Sequence, residues 1–233
     1  MNGFLGEFVG TMILVALGTG CGAAINLKKN YAHGQNWLFV CMAWAMAVTM
    51  GVYVASTLGS KAALNPAVTL GMAVLHQLPW HSVIPYIIAE LLGGFVGAAL
   101  VILHYYPQFQ ATKDATENKV GIFATAPAIA NPLFNFLSET IATFFFLLIL
   151  FNLGNFTEGL KPLLVGLLIG AIGMSFGGTT GFALNPARDF APRLAYAVLP
   201  VPNKCNANWA YAWIPICGPI AGGLLAAGLT LLF

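Results

Sequence analysis

A four-residue phrase, Leu64-Asn65-Pro66-Ala67, returns 120 residues later as Leu184-Asn185-Pro186-Ala187. Asparagine is a strong helix N-cap and proline is favoured at the first helical position. Each phrase therefore reads as a deliberate helix start. The apolar runs that follow, 65–76 and 185–198, are too short to cross a bilayer, which takes about 20 residues. A helix that starts at membrane depth leaves non-helical backbone there. Such backbone is tolerated only where it is buried in protein or lines a watery cavity. A single Asn-Pro is an ordinary capped turn. Two, at matching places in two halves, point to a duplicated unit built around one central site.

That these runs lie in lipid follows from charge. Only 7% of the 233 residues are charged and 59% are hydrophobic, against about 25% charged in a soluble domain. There is too little polar side chain to cover a water-facing surface, so the chain reads as an integral membrane protein. The net charge of +2, with no basic cluster, gives no sign of a nucleic-acid partner. Six segments have spanning length: 4–25, 36–57, 83–105, 134–154, 161–179 and 210–232. Each half reads helix, helix, Asn-Pro half-helix, helix. Phe4-Leu5-Gly6-Glu7 echoes Phe136-Leu137-Ser138-Glu139, and Gly93 and Gly97 echo Gly218 and Gly222. The expected fold is all-α: six transmembrane helices plus two re-entrant half-helices. The whole chain, 1–233, forms one domain of two repeats, about 1–106 and 134–233, joined by the loop 107–133. An odd number of spans per half inverts the second repeat, and inverted repeats place their shared site near the bilayer midplane.

No cleavable leader is expected, because the first apolar run starts at Phe4 with no basic region before it. Cys21, Cys41, Cys205 and Cys217 form no C-x-x-C pair and read as small buried hydrophobes. No cofactor or metal site is expected, and no phosphate loop or Ser/His/Asp grouping suggests an enzyme. A capping asparagine uses its carbonyl oxygen on backbone N–H groups and leaves its NH2 free to donate. Two half-helices meeting head to head would aim two NH2 groups and two positive dipole ends at one spot. Such a spot bonds a passing oxygen, repels cations and interrupts a proton relay.

With these motifs the chain resembles the major intrinsic protein family, the aquaporins and glycerol facilitators, over essentially its whole length. The resemblance implies one pore per subunit, homotetramers in membrane lipid, and Asn65, Pro66, Ala67, Asn185, Pro186 and Ala187 at the pore centre. It also implies a second constriction, with Arg188 as its arginine. Trp44, 21 residues before Asn65, and Gly173 and Phe182, 12 and three before Asn185, match the other filter positions of the glycerol branch. Glycine in place of the histidine of strict water channels widens the hole. Trp and Phe give an apolar corner for carbon, and Arg binds hydroxyls opposite. Asp189 is a further mark of that branch, with a structural role. The carbonyls of Lys61, Ala62 and Ala63, and of Thr179, Thr180, Gly181, Phe182 and Ala183, are expected to form an acceptor ladder. The segment from Tyr53 to Asn65 is one residue longer than expected in the bacterial facilitators and has Ala63 where a histidine often stands.

Glu7 and Glu139 lie inside apolar helices. An intramembrane acid is by default a functional candidate, but their symmetry resembles family glutamates that support the re-entrant loops. Glu90 is expected to act similarly, and His76 and His81 to lie at the surface. The family places both termini in the cytoplasm. Lys28, Lys29, Lys113, Lys119 and Lys204 would then be outside, with only Lys61 and Lys161 inside, which runs against the positive-inside rule. The expected function is a passive channel for glycerol and other small uncharged solutes, with water, that excludes ions and protons. It is expected in a plasma membrane, and its sparse loops point to a bacterial one. Undissociated lactic acid, urea or dihydroxyacetone are alternative solutes. A rival of another class is a proton-coupled transporter using Glu7 and Glu139.

Overall fold

The computed structural model describes residues 3–113, 119–154 and 159–232. Parts of the connections 107–133 and 155–161 thus lie outside the described residues. The described residues form helices and no strands. In order these are α1 (Phe4–Asn26), α2 (Trp37–Thr57), α3 (Pro66–Val74), α4 (Val83–His104), α5 (Tyr106–Ala111), α6 (Pro132–Asn152), α7 (Leu160–Phe176), α8 (Pro186–Val198) and α9 (Ile214–Thr230). Short 3-10 turns occupy Trp80–Ser82 and Lys119–Ile122.

Helices α1, α2, α4 and α6 are long and apolar enough to cross a membrane. α7 and α9 have 17 residues each, at the short end of the spanning range of about 17–25. Both are shorter than their apolar runs. α7 stops at Gly177, after which the chain turns and then runs without regular secondary structure to Asn185. α9 starts only at Ile214 because 208–213 form hydrogen-bonded turns and Pro215 sets the first helical turn. α3 and α8, of 9 and 13 residues, are half-helices. α5 is an addition, in a stretch read from sequence only as a polar connection.

The spans pack in matching pairs, α1 on α4 and α6 on α9, while α2 meets α7 across the halves. Small residues let the backbones close. A Cβ on Gly93 would lie 2.2 Å from the Phe8 carbonyl oxygen, and one on Gly222 would lie 2.2 Å from that of Thr140. In lipid, close helix packing of this kind replaces the hydrophobic drive. Each half-helix packs on the last span of the other half, α3 on α9 and α8 on α4, which draws the two Asn-Pro starts to the centre. The outer surface carries exposed Leu103, Phe134 and Leu225, among other large apolar residues, as a lipid-facing wall requires. Gly3 packs against Tyr86, which takes the Lys61 N–H, and Thr230 bonds Asn152 at the approach to α7. Both ends of the described chain therefore lie on the face that carries Lys61 and Lys161.

Candidate functional site

The half-helices begin where capping chemistry puts them. Asn65 Oδ1 accepts the Ala67 N–H at 2.9 Å. Asn185 Oδ1 accepts those of Ala187 and Arg188 at 2.9 and 3.1 Å. The amide nitrogens cross over: Asn65 Nδ2 donates to the Leu184 carbonyl at 2.9 Å and Asn185 Nδ2 to that of Leu64 at 2.7 Å. Each capping residue is thus tied to the loop that leads to the other. This modifies the sequence reading of a wholly free NH2, since one of its two N–H bonds is engaged. Both asparagines line the same cavity.

The loops before the caps are backbone under constraint. Ala62, Leu64, Phe182 and Leu184 all have positive φ, from 42° to 56°, a conformation costing non-glycine residues about 1–2 kcal/mol each. The surroundings hold them there. Glu7 accepts the N–H of Ala63 at 3.0 Å and of Leu64 at 2.7 Å, and also the Ser60 hydroxyl. Glu139 accepts those of Ala183 and Leu184 at 3.0 and 3.1 Å. Both carboxylates are fully buried and line neither cavity. Glu90 accepts the Thr69 hydroxyl at 2.6 Å, bracing α3.

Two cavities of about 240 and 300 Å³ lie along one path. The first is flanked by Lys61, Ala62, Ala63 and Leu64 on one loop and Ala183 and Leu184 on the other, with Val48, Val52 and Ile169 among its apolar wall. The second opens among Asn26, Gln35, Asn36 and Thr125. Three residues line both: Trp44, Phe182 and Arg188. The constriction between the cavities is therefore built from two aromatic rings and a guanidinium. The Arg188 guanidinium carbon stands 3.7 Å from the centroid of the Trp44 ring, and its Nη1 donates to the Phe123 carbonyl at 3.2 Å.

Gly173 lines neither cavity. A Cβ there would lie 3.0 Å from the Phe182 ring and 3.1 Å from Cys41 Sγ. Its missing side chain leaves the berth that the Phe182 ring occupies. Thr179 and Thr180 also line neither cavity, and the Thr179 carbonyl accepts the Ala128 N–H at 2.9 Å.

Three contributors went unnoticed in the sequence. Trp37 meets Phe182 edge-on at 5.6 Å and donates Nε1–H to the Gly173 carbonyl at 3.1 Å. Arg193 forms a buried ion pair with Asp189 at 2.7 Å and donates to the carbonyls of Thr125, Ala207 and Asn208. Thr125 donates both its N–H and its hydroxyl to Asp189, at 2.7 and 2.8 Å. Asp189 and Arg193 together fasten three segments behind Arg188. The i,i+4 spacing of that pair was a readable signal; nothing local marked Trp37 or Thr125. His76 and His81 are exposed, as are Cys205 and Cys217, while Cys21 and Cys41 are buried.

A family model described as Major intrinsic protein matches residues 1–230. Glycerol uptake facilitator protein 2 of Lactiplantibacillus plantarum is 65% identical over 230 residues, 98% of each chain. Glycerol uptake facilitator protein 3 of the same organism is 55% identical, over 96% of this chain and 93% of that one. Among solved structures, the aquaglyceroporin from Plasmodium falciparum superposes with a TM-score of 0.84 at 31% identity, covering 97% of this chain and 93% of its own. A match that runs from end to end, on a six-span fold with two meeting half-helices, leaves one assignment: the chain belongs to the major intrinsic protein family.

Proposed function

We propose that the chain is a passive channel for glycerol and similar small uncharged solutes, with water passing too, and that ions and protons are refused. The observation that carries this is the constriction. Trp44 and Phe182 give a carbon chain an apolar wall, and Arg188 gives hydroxyls a forked donor. A slender polyol fits both at once. Cations meet the guanidinium and the two helix N-termini at Asn65 and Asn185. The loops around Lys61 to Ala63 and Gly181 to Ala183 supply acceptor carbonyls along the path, because Glu7 and Glu139 hold inner N–H groups on the opposite side. The likeness to facilitators named for glycerol uptake supports the same solute.

The proton-coupled rival is not favoured. Glu7 and Glu139 are each engaged by two backbone N–H groups and lie off the path.

The repeats divide at about 1–106 and 134–233, and the assembly is a homotetramer in a bacterial plasma membrane, as the family resemblance implies. The face with Lys61, Lys161 and both chain ends is assigned to the cytoplasm. The lysine count favours the reverse. Two of the opposing lysines, however, serve as loop anchors: Lys119 bonds the Asn203 carbonyl at 2.9 Å and Lys204 that of Ala197 at 2.7 Å. Protease cleavage of a C-terminal tag in intact cells would overturn this orientation.

Stopped-flow light scattering on proteoliposomes tests the solute, comparing glycerol, water and lactic acid at low pH. Glycerol flux well above that of empty liposomes is expected. Flux equal to empty liposomes sinks the proposal, and lactic acid outpacing glycerol reassigns the solute.

A further inference from the structure

The wall of the path has an electrostatic asymmetry that solute selection does not use. Among the described residues no acidic side chain lines either cavity, yet three cations line the one holding Asn65 and Asn185. Arg188 stands at its narrow end. Lys61 and Lys161, both exposed, stand at its open mouth beside Ser56 and Gln77. Glu7, Glu90, Glu139 and Asp189 are fully buried and line neither cavity; Glu7 meets the loop that carries Lys61 from behind, through the Ser60 hydroxyl and the Ala63 and Leu64 N–H groups.

Neither lysine has an evident structural task. Lys61 rides on the loop before Asn65; the loop is held by backbone bonds to Glu7 and Tyr86, not by its ammonium group. Lys161 lies in the first turn of α7, where the helix dipole disfavours a cation. That helix start is fixed by another contact, the Tyr53 hydroxyl on the Gly159 carbonyl at 2.5 Å. A neutral polyol takes only hydrogen bonds from two ammonium groups and leaves their charge unmatched. A dianion does.

We propose that Lys61 and Lys161 form a binding site for a phosphate-bearing anion at this mouth, and that its occupancy slows solute flux. The proposal rests on the channel reading above. A hydrated dianion does not follow the solute through the aromatic constriction, so it sits over the opening rather than passing. Exposed ion pairs are individually weak, so half-occupancy falls at about 10 mM. Binding weakens with salt, because exposed charges are screened within about 10 Å at 0.1 M ionic strength. The phosphate can come from solution, as a free ion or a monoester, or from an anionic lipid headgroup at the rim.

The test measures glycerol flux in vesicles of neutral lipid with inorganic phosphate on both sides, against chloride at equal ionic strength. A second arm omits phosphate and replaces part of the neutral lipid with an anionic phospholipid. Each of wild type, Lys61→Gln and Lys161→Gln is scored by its own ratio of flux with the anion to flux without it. Wild-type flux is expected to fall by about half at ~10 mM phosphate, with both variants insensitive. A fall in the lipid arm alone assigns the headgroup as the source and supports the same site. Equal flux in both arms, an equal fall with chloride, or an equal fall in the variants overturns the site. Absence of glycerol flux in phosphate-free wild-type vesicles overturns the channel reading instead. In that case broadening of the phosphorus NMR line of inorganic phosphate by the reconstituted protein still decides the site, with loss of broadening in Lys161→Gln expected and equal broadening counting against it.

Discussion

Arg188 lies over the face of Trp44, its guanidinium carbon 3.7 Å from the ring centroid. A cation on an aromatic face is held by roughly 0.5–2 kcal/mol, and the bond to the Phe123 carbonyl fixes it further. Trp44 thus aims the donor as well as lining the apolar wall. Replacing it with alanine loosens both. In Trp44→Ala the ratio of glycerol to water flux is expected to fall severalfold, because the wider opening favours the smaller solute. Stopped-flow measurement of both solutes on one preparation checks this, and an unchanged ratio counts against the constriction.

Gly173 makes a sharper test, because its effect is indirect. A methyl group at 173 would press on the Phe182 ring from 3.0 Å, tighter than an ordinary van der Waals contact. The ring borders both cavities and is expected to yield toward the path. Gly173→Ala is therefore expected to lower glycerol flux more than water flux, and Gly173→His with Trp44→Phe to do so more strongly. Equal losses for both solutes would place these residues outside the filter.

Behind the filter, Asp189 and Arg193 are both fully buried. Breaking such a pair by removing one partner leaves an uncompensated charge and costs about 3–5 kcal/mol. Asp189→Asn is expected to lower thermal stability in detergent and to release the segment carrying Thr125. Replacing both residues with apolar ones of similar volume should recover part of the loss. Thermal unfolding followed by tryptophan fluorescence reports the difference, and a wild-type melting temperature in Asp189→Asn would contradict the buried pair.

Glu7 separates a channel from a coupled transporter. Glutamine keeps one acceptor oxygen where Glu7 now serves both Ala63 and Leu64. A buried N–H left unmatched costs about 1–3 kcal/mol, so Glu7→Gln should fold less stably. The fraction that folds should still equilibrate glycerol passively, and wild type should never accumulate it against a gradient. Accumulation driven by a proton gradient in wild type, abolished in Glu7→Gln, would reverse this conclusion.

Much of this molecule was legible in its sequence because membrane folding obeys few rules. Scarcity of charge forced the lipid environment, and spanning length located six helices. The Asn-Pro starts were readable because capping is local: a side chain bonds the backbone two or three residues on. The inner ends of α7 and α9 were not. Gly177 ends one and the turns at 208–213 delay the other, both inside runs that hydropathy alone extends.

What the sequence determined by itself, then, is the set of spans, the two half-helix starts and the residue types that any constriction could use. Tertiary structure decided how they meet. Asn65 bonds the loop before Asn185 and Asn185 the loop before Asn65, because each half-helix packs on the other half's last span. Gly173 was singled out as a filter position, and only folding sets its bare Cα against the Phe182 ring. Trp37 and Thr125 carried no local mark at all, since their partners lie 136 and 64 residues away. Capping and hydropathy are properties of neighbouring residues, while the shape of a constriction is fixed by side chains that only folding brings together.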